Sequence, residues 1–117
     1  MLINLTNHPS PKWGEKQLEA ARAFGEVRDI AFPAVSPDDG EDYISRLAQD
    51  YLEKIMDVAG NNRVTVHVMG EMNFTFRLVT MLKGDGITCV ASTTRRKVVE
   101  TPEGRLSVFE FVRFRKY

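Results

Sequence analysis

Apolar residues along the chain fall into short strand-like runs separated by segments with helical spacing. Four runs are rich in aliphatic and β-branched side chains, which are typical of strands. They lie at residues 2–6 (LINLT), within 27–35 (VRDIAFPAV), at 63–69 (RVTVHVM) and at 87–91 (ITCVA). Because each run is followed by a longer segment of different periodicity, the pattern predicts alternating strands and helices.

Three helices are predicted between these strands. Ser10-Pro11 and Ser36-Pro37 indicate the first two starts, because serine is a good N-cap and proline suits the first helical position. The second helix has the clearest amphipathic pattern, with apolar residues at positions 44, 47, 48, 51, 52, 55 and 56. The third, at residues 72–83, is apolar nearly all round, which is typical of a buried helix or a subunit contact. We therefore expect self-association.

The C-terminal segment has a different pattern from the rest of the chain. Residues 97–101 and 106–115 read as two strands around a turn that contains Pro102 and Gly104, which predicts a β-hairpin. Alternating strands and helices followed by a hairpin predict an α/β fold. We expect a Rossmann-like, mostly parallel sheet with three flanking helices and a C-terminal β-hairpin, in one domain over residues 1–117.

Charge and cysteine content narrow the functional classes. Sixteen basic residues balance sixteen acidic ones, so no overall positive field attracts long nucleic acids. Cys89 is the only cysteine, which excludes a disulfide framework. No apolar run approaches the roughly 18 residues needed to cross a bilayer, so we expect no membrane association. These features predict a reduced, cytoplasmic setting.

Several common catalytic and cofactor motifs are absent. The sequence has no G-x-G-x-x-G after its first strand, no P-loop, no H-E-x-x-H and no G-x-S-x-G. Two histidines without paired cysteines make a structural zinc site improbable. We therefore predict neither a metal nor a cofactor.

Polar residues follow three of the predicted strands. The carboxyl ends of parallel strands meet at one edge of a sheet, where helix N-termini also point and ligands bind. Amides, hydroxyls, an imidazole and two guanidiniums suit phosphates and sugar hydroxyls better than an apolar ligand. The predicted binding residues are Thr6, Asn7, His8 and Ser10; Gly70, Glu71, Met72, Asn73 and Thr75; and Ser92, Thr93, Thr94, Arg95 and Arg96.

Each of these residues also has a structural explanation. Ser10 can simply cap a helix, and Gly70 can simply allow a tight turn. Arg95 and Arg96 can keep a hairpin soluble. His67 lies inside a strand, so we interpret it as a packed histidine, and His8 as the better functional candidate.

The sequence resembles a group of small CRISPR-associated proteins of type III systems, related to the CARF (CRISPR-associated Rossmann fold) domains. The resemblance covers nearly the whole chain and rests on MLINLTNHPS followed by Trp13, FGEV, IAFPAVSP, VHVMGEMNFTF, GITCVASTTRR and FVRFRKY. It implies a homodimeric module that binds cyclic oligoadenylate, with cyclic tetra-adenylate (cA4) as the expected ring. The positions that match are Asn7, His8 and Ser10; Gly70, Glu71 and Met72; and Ser92, Thr93, Thr94 and Arg95.

The resemblance also implies that the protein attenuates antiviral signalling, by cleaving the ring as a ring nuclease or by sequestering it. Cleavage without a metal would use the ring's own 2′-hydroxyl as the nucleophile. His8 would then serve as general acid or base, and Arg95 would stabilise the transition state. The role of Glu71 beside a phosphate stays open.

Two other readings remain. The protein can be a regulatory or scaffolding module without a nucleotide ligand, in which the apolar third helix docks a partner. A small-molecule enzyme on a flavodoxin-like scaffold is the least favoured, because no catalytic constellation is recognisable.

Overall fold

A computed structural model describes residues 1–117. Eight regular elements follow one another in the chain, and a 3-10 turn at Ser10–Lys12 precedes the first helix. In chain order they are β1 (Leu2–Leu5), α1 (Glu15–Arg22), β2 (Val27–Asp29), α2 (Glu41–Ala59), β3 (Thr65–Val68), α3 (Met72–Gly84), β4 (Thr88–Thr101) and β5 (Gly104–Lys116). None of the helices combines the length and the apolarity needed to span a bilayer.

The five strands form one sheet in the order β2-β1-β3-β4-β5. The pairings among β2, β1, β3 and β4 are parallel, and β4 pairs with β5 antiparallel. The predicted class is thereby confirmed: an α/β fold with a mostly parallel sheet, three helices and a C-terminal hairpin. The chain leaves β1 toward β2 on one side and reaches β3 on the other. That reversal opens a crevice at the carboxyl ends of β1 and β3.

The two faces of the sheet are covered by different helices. Alternation along each strand sends Ile3, Leu5, Val66 and Val68 toward α2 and α3, where the larger apolar core lies. Leu2 and Val90 face the opposite way and pack with Trp13, Ala21 and Phe114. Asn4 and His67 alternate onto this second face, so two polar side chains are buried on the α1 side of the sheet.

The C-terminal hairpin extends well beyond the rest of the sheet. Only the first residues of β4 pair with β3, whereas residues 91–101 pair with β5 alone. At about 3.3 Å per residue this arm is roughly 35 Å long. Its exposed apolar side chains are Val98, Val99, Leu106, Val108 and Phe109.

Three predicted boundaries are wrong. The α1 helix begins at Glu15, because Ser10 and Pro11 belong to the separate 3-10 turn and Ser10 makes no cap bond. The α2 helix begins at Glu41, several residues after Ser36-Pro37. Residues 92–96 do not form a loop, because β5 pairs with them throughout and keeps β4 continuous to Thr101.

Candidate ligand-binding cleft

The main candidate site is a cleft of about 920 Å³ at the carboxyl ends of β1 and β3, here called the α1 cleft. Its volume lies at the upper end of the ~300–1,000 Å³ range of small-molecule sites. Its walls come from the loop after β1, the start of α1, the end of β3 and the neighbouring parts of β4 and β5. The cleft therefore lies at the topological switch point, where ligands bind in open α/β sheets.

The N-terminus of α1 forms one wall of this cleft. Gly14 is the N-cap residue and has no side chain to cap the helix, and Gly14, Glu15, Lys16 and Gln17 all line the cleft. The first backbone N–H groups of a helix have no partner within it, and together they favour an anion. Lys12, in the preceding 3-10 turn, lines the same wall. One end of the cleft thus offers backbone donors and two ammonium groups.

Acidic side chains partly balance these cations. Glu15 and Glu110 also line the cleft, and the Glu110 carboxylate pairs with the Lys97 ammonium at 3.0 Å. On the α1 wall itself, Glu15 offsets one of the two lysine charges, so a single net positive side-chain charge remains there. A compact anion with a few phosphates fits that distribution better than an extended polyanion.

A network of polar side chains begins at Asp29, an exposed residue at the end of β2, and continues through Asn4 into the buried part of the sheet. The Ser10 hydroxyl donates to one Asp29 oxygen at 2.6 Å, and the Ser10 amide and the Asn4 side-chain amide donate to the other at 3.1 and 2.8 Å. Burial opposes ionisation of Asp29, but these hydrogen bonds outweigh it and hold its pKa below the usual 3.8. Asp29 is therefore a charged anchor that ties the loop after β1 to the sheet.

The network ends at His67 on β3. The side-chain oxygen of Asn4 lies 3.0 Å from His67 Nδ1 and also 3.0 Å from the Thr6 hydroxyl. Burial without an opposing charge lowers the pKa of His67 from 6.5 to about 4, so the imidazole is neutral at pH 7. His67 is 1% exposed, lines the α1 cleft, and its Nε2 has no hydrogen-bond partner.

Aromatic rings surround the histidine and continue along the cleft. Trp13 and Phe114 meet the His67 ring edge-on, with ring centroids 5.6 and 5.1 Å away. Trp13 is held in place because its indole N–H donates to the His8 carbonyl at 3.0 Å. Phe109 and Phe111 line the wall contributed by β5. Flat apolar surfaces and the uncapped N-terminus of α1 thus line the same cleft, an arrangement suited to a nucleotide.

About half of the residues predicted for the site lie at this cleft. The predicted residues that line it are Thr6, Asn7, His8, Gly70, Ser92 and Thr94. Ser10 lies beside it and holds Asp29. The alternation of β4 turns Thr93 and Arg95 toward its other face, and neither lines the cleft. The Arg96 guanidinium instead donates to the Ser107 hydroxyl, at 2.9 and 3.2 Å.

The residues predicted after Gly70 lie elsewhere. Glu71 is the N-cap of α3, and its carboxylate accepts from the Phe74 and Asn73 amides at 2.9 and 3.2 Å. Its own carboxylate therefore occupies the end of α3 that a phosphate would need. Glu71 and Asn73 line a second, smaller cavity of about 460 Å³ between the starts of α2 and α3. Met72 is 83% exposed, whereas Thr75 is buried and lines neither cavity.

Gly70 makes a close approach that explains its identity. A Cβ atom at Gly70 would lie 2.1 Å from the tip of the Phe32 ring, so any other residue would have to displace that ring. The Phe32 ring in turn packs edge-on against Phe74, with centroids 5.3 Å apart. Gly70 therefore joins the floor of the α1 cleft to the core on the other face of the sheet.

Sequence reasoning missed several residues at the cleft. Lys12, Trp13 and Lys16 were not predicted because the first helix was placed too early, so the wall they form was read as a helix interior. The buried residue Asn4 and its exposed partner Asp29 were not recognised either. The sequence contains one usable signal, since Asn4 and His67 are polar residues inside otherwise apolar strands. Such residues in buried strands require partners.

Comparison with known protein families identifies the family of this chain. A family model described as "Uncharacterized protein MJ1673 family" matches residues 1–115. The chain belongs to this family. No curated protein and no solved structure matches the chain. No three His, Cys, Asp or Glu side chains converge as a metal site would require. The α1 cleft is built almost wholly within the matched residues, so its geometry is a hypothesis for the family as well.

Proposed function

We propose that this protein binds cyclic oligoadenylate, with cyclic tetra-adenylate as the expected ring, in the α1 cleft of each copy of a homodimer. In this role it lowers the concentration of a type III CRISPR second messenger. The observation that carries the proposal is the combination, in one cleft, of an uncapped helix N-terminus, two lysines and an aromatic wall. The sequence resemblance supplies the ligand class, and the cleft supplies the chemistry.

The phosphates of the ring bind at the α1 wall. The free N–H groups after Gly14 direct donors toward the cleft, and Lys12 and Lys16 add charge on flexible stems. A phosphate at a helix N-terminus needs no specific side chain, which explains why no phosphate motif is recognisable in the sequence. The α3 end, capped by Glu71, takes no part in this binding.

The nucleosides bind against the opposite wall. Phe109 and Phe111 offer ring faces and edges for adenine, and base–aromatic stacking contributes about 1–3 kcal/mol per base. The Ser92 and Thr94 hydroxyls and the Asn7 amide line the cleft and have the short polar groups that suit ribose hydroxyls.

A two-fold dimer presents the same cleft twice to a ring with rotational symmetry. The exposed apolar side chains of the β4–β5 arm support self-association, because a two-stranded ribbon with apolar residues on both faces is marginal alone in water. Most of the apolar surface of α3 is used within the chain, with Phe74, Leu78 and Leu82 fully buried. We therefore propose the arm, and not α3, as the main dimer surface.

The geometry favours sequestration over cleavage. His8 lines the α1 cleft and is a possible acid or base, but Arg95 lies on the other face of β4 and does not join it. His67 lies deep in the cleft and is neutral, so it supplies no proton near pH 7. Because Arg95 lies away from the cleft, the guanidinium expected to stabilise the transition state is not beside His8, and we therefore propose that the ring is bound and not cut.

The test is binding and product analysis with radiolabelled cyclic tri-, tetra- and hexa-adenylate. We expect retention of the tetra-adenylate ring and recovery of intact ring after the protein is denatured. Lys16→Ala should weaken binding roughly tenfold and reduce its salt dependence, because an ammonium contact to phosphate is lost. Lys54→Ala is the matched control, since it removes one exposed lysine from α2 on the other side of the sheet.

Other outcomes have defined meanings. If sub-stoichiometric protein converts the ring to linear products, the protein cleaves the ring and does not merely sequester it. His8→Ala should then abolish product formation. Failure of all three rings to bind at micromolar protein would refute the proposed function.

A partner-docking function is the second candidate, and one observation favours it. Phe76 is 75% exposed beside the small cavity between α2 and α3, and Met72 is 83% exposed on the same helix. Val79, also on α3, belongs to the core, so a substitution there would disturb folding and would not test docking. Two results together would favour docking: the wild type binds no cyclic oligoadenylate, and Phe76→Ser abolishes biological activity. Partner docking would then replace cyclic oligoadenylate binding as the proposed function.

A further inference from the structure

The bonding of His67 can be worked out from the charge at Asp29. Asp29 is ionised, so the Asn4 side-chain atom 2.8 Å from its oxygen must be the NH₂ group. The same NH₂ group also donates to the His8 carbonyl at 2.9 Å, which agrees with that orientation. The other atom of the Asn4 amide, facing His67, is therefore the oxygen.

An amide oxygen only accepts hydrogen bonds, so His67 Nδ1, 3.0 Å away, must carry the proton. In a neutral imidazole the other nitrogen then has a free lone pair. Nε2 of His67 is thus a hydrogen-bond acceptor that is buried, has no partner in the protein and belongs to a side chain lining the α1 cleft. An unpaired buried polar group is costly, and functional sites are where proteins retain one.

The surroundings of Nε2 indicate what it accepts from. Trp13 and Phe114 pack against the imidazole and also against each other, with their ring centroids 6.1 Å apart, so Nε2 is covered by an aromatic cluster beside the cleft. A flat group that slides against these rings reaches Nε2 with a smaller displacement than a ribose hydroxyl, which carries a puckered, well-hydrated ring with it. The complementary group is a planar heterocycle with an N–H donor on its edge.

We propose that His67 Nε2 accepts a hydrogen bond from the exocyclic amine of adenine, and that Asp29, through Asn4, keeps His67 in this accepting form. The α1 cleft then selects purines with an amine at position 6 over purines with an oxygen there, because two acceptors would face each other in the second case. His67 contacts the base, and Asp29 and Asn4 are positioning residues. The inference rests on the proposed function for its ligand, although the proton position does not.

The experiment compares the affinities of cyclic tetra-adenylate and cyclic tetra-inosinate, which differ in replacing the 6-amine by a 6-oxo group. Wild type should prefer the adenylate ring by at least about tenfold, the typical effect of leaving one buried polar group unsatisfied. His67→Phe keeps an aromatic ring but removes the acceptor, so this preference should fall to within about twofold. Asp29→Asn should also reduce the preference, because a neutral partner no longer fixes the Asn4 amide.

The proton position is measured separately, without ligand, by long-range ¹H–¹⁵N correlation of the imidazoles. His67 should carry its proton on Nδ1 in the wild type, and Asp29→Asn should give a mixture of the two forms. This readout does not move when a variant merely loses stability, so it separates positioning from general structural damage. A proton on Nε2 of His67 in the wild type would overturn the inference, whichever cyclic nucleotide binds more tightly.

The outcomes separate the two proposals. If both rings bind the wild type equally well, the proposed function stands and the inference is refuted. If neither ring binds, nor any other ring size, the proposed function fails and adenine selection fails with it. An adenylate preference that persists unchanged in His67→Phe assigns base selection to another residue and also overturns the inference.

Discussion

Acid should destabilise this protein earlier than it destabilises most small domains, because of His67. The imidazole is 1% exposed, has no acidic partner and binds only the neutral oxygen of Asn4. Burial therefore lowers its pKa from 6.5 to about 4 in the folded protein. In the unfolded chain the same side chain is in water and regains its ordinary pKa.

The sign and size of the effect follow from proton binding. Between pH 6.5 and about 4 the unfolded chain holds a proton at His67 and the folded protein does not. The stability that the folded protein gains from keeping His67 neutral is therefore complete above pH 6.5 and is lost as the pH falls toward 4. The free energy of unfolding should drop by about 1.4 kcal/mol per pH unit in this window and by roughly 3 kcal/mol in total. That is a large share of the ~5–15 kcal/mol typical of a domain.

Asp29 acts in the same direction but at lower pH. Burial disfavours its charged form, but the hydrogen bonds from Ser10 and Asn4 hold its pKa below 3.8. The contribution of Asp29 to the free energy of unfolding is present above pH 3.8 and is lost as the pH falls through its folded-state pKa. The window from pH 6.5 to about 4 therefore reports on His67, and Asp29 affects stability only below it.

The assay is urea unfolding followed by the fluorescence of Trp13, the only tryptophan, and by circular dichroism, at several values from about pH 7 to about pH 4.5. His67→Phe is the control, because it keeps a ring against Trp13 and Phe114 and removes the titrating group. The variant should lose most of the slope between pH 6.5 and 4.5. Equal slopes in both proteins, or a directly titrated pKa for His67 near 6.5, would refute the reasoning.

Three further predictions concern residues outside the titrating network. Gly70→Ala should cost about 1–3 kcal/mol in urea unfolding because its Cβ would overlap the Phe32 ring, whereas Gly84→Ala, in open space on α3, should be neutral or stabilising; equal effects would count against the overlap. Glu71→Ala should lower the free energy of unfolding by about 1 kcal/mol, because it removes the α3 cap, and should leave the affinity for cyclic tetra-adenylate unchanged. A tenfold loss of that affinity would place Glu71 at the ligand. Burial raises the pKa of Cys89 to about 11, so its thiol should react with an aromatic disulfide reagent at pH 8 only after urea unfolding, and rapid native reaction would contradict its burial.

The fold class was predictable because it depends on patterns that repeat along the chain. The apolar spacing of α2 and the β-branched runs of β1 and β3 are local, and they agree with the observed elements. The helix starts were less predictable because a Ser-Pro pair permits a helix without requiring one. In the 3-10 turn before α1, the Ser10 hydroxyl donates to Asp29, 19 residues away, and is not used as a helix cap. A partner so distant in sequence leaves no local signal.

The extent of β4 depends on its pairing partner. Residues 92–96 are polar, and polar residues after an apolar strand usually indicate a loop. Here β5 continues to pair with them, so the arm remains a strand although both of its faces are largely exposed. The consequence for the site is direct, because alternation keeps Ser92 and Thr94 at the cleft and turns Thr93 and Arg95 away.

The N-termini of α1 and α3 have different N-cap residues, and this difference is the reason for proposing an anion site at α1 and not at α3. Glu71 places a carboxylate on the first amides of α3, which satisfies the donors and adds a negative charge where a phosphate would lie. Gly14 has no side chain, so the first amides of α1 keep their donors toward the cleft. The joint around Gly70 and Glu71 therefore closes one helix end and shapes the floor of the cleft. The proposed anion site is therefore at α1, where glycine at the N-cap leaves the first amides uncapped and Lys12 and Lys16 lie on either side.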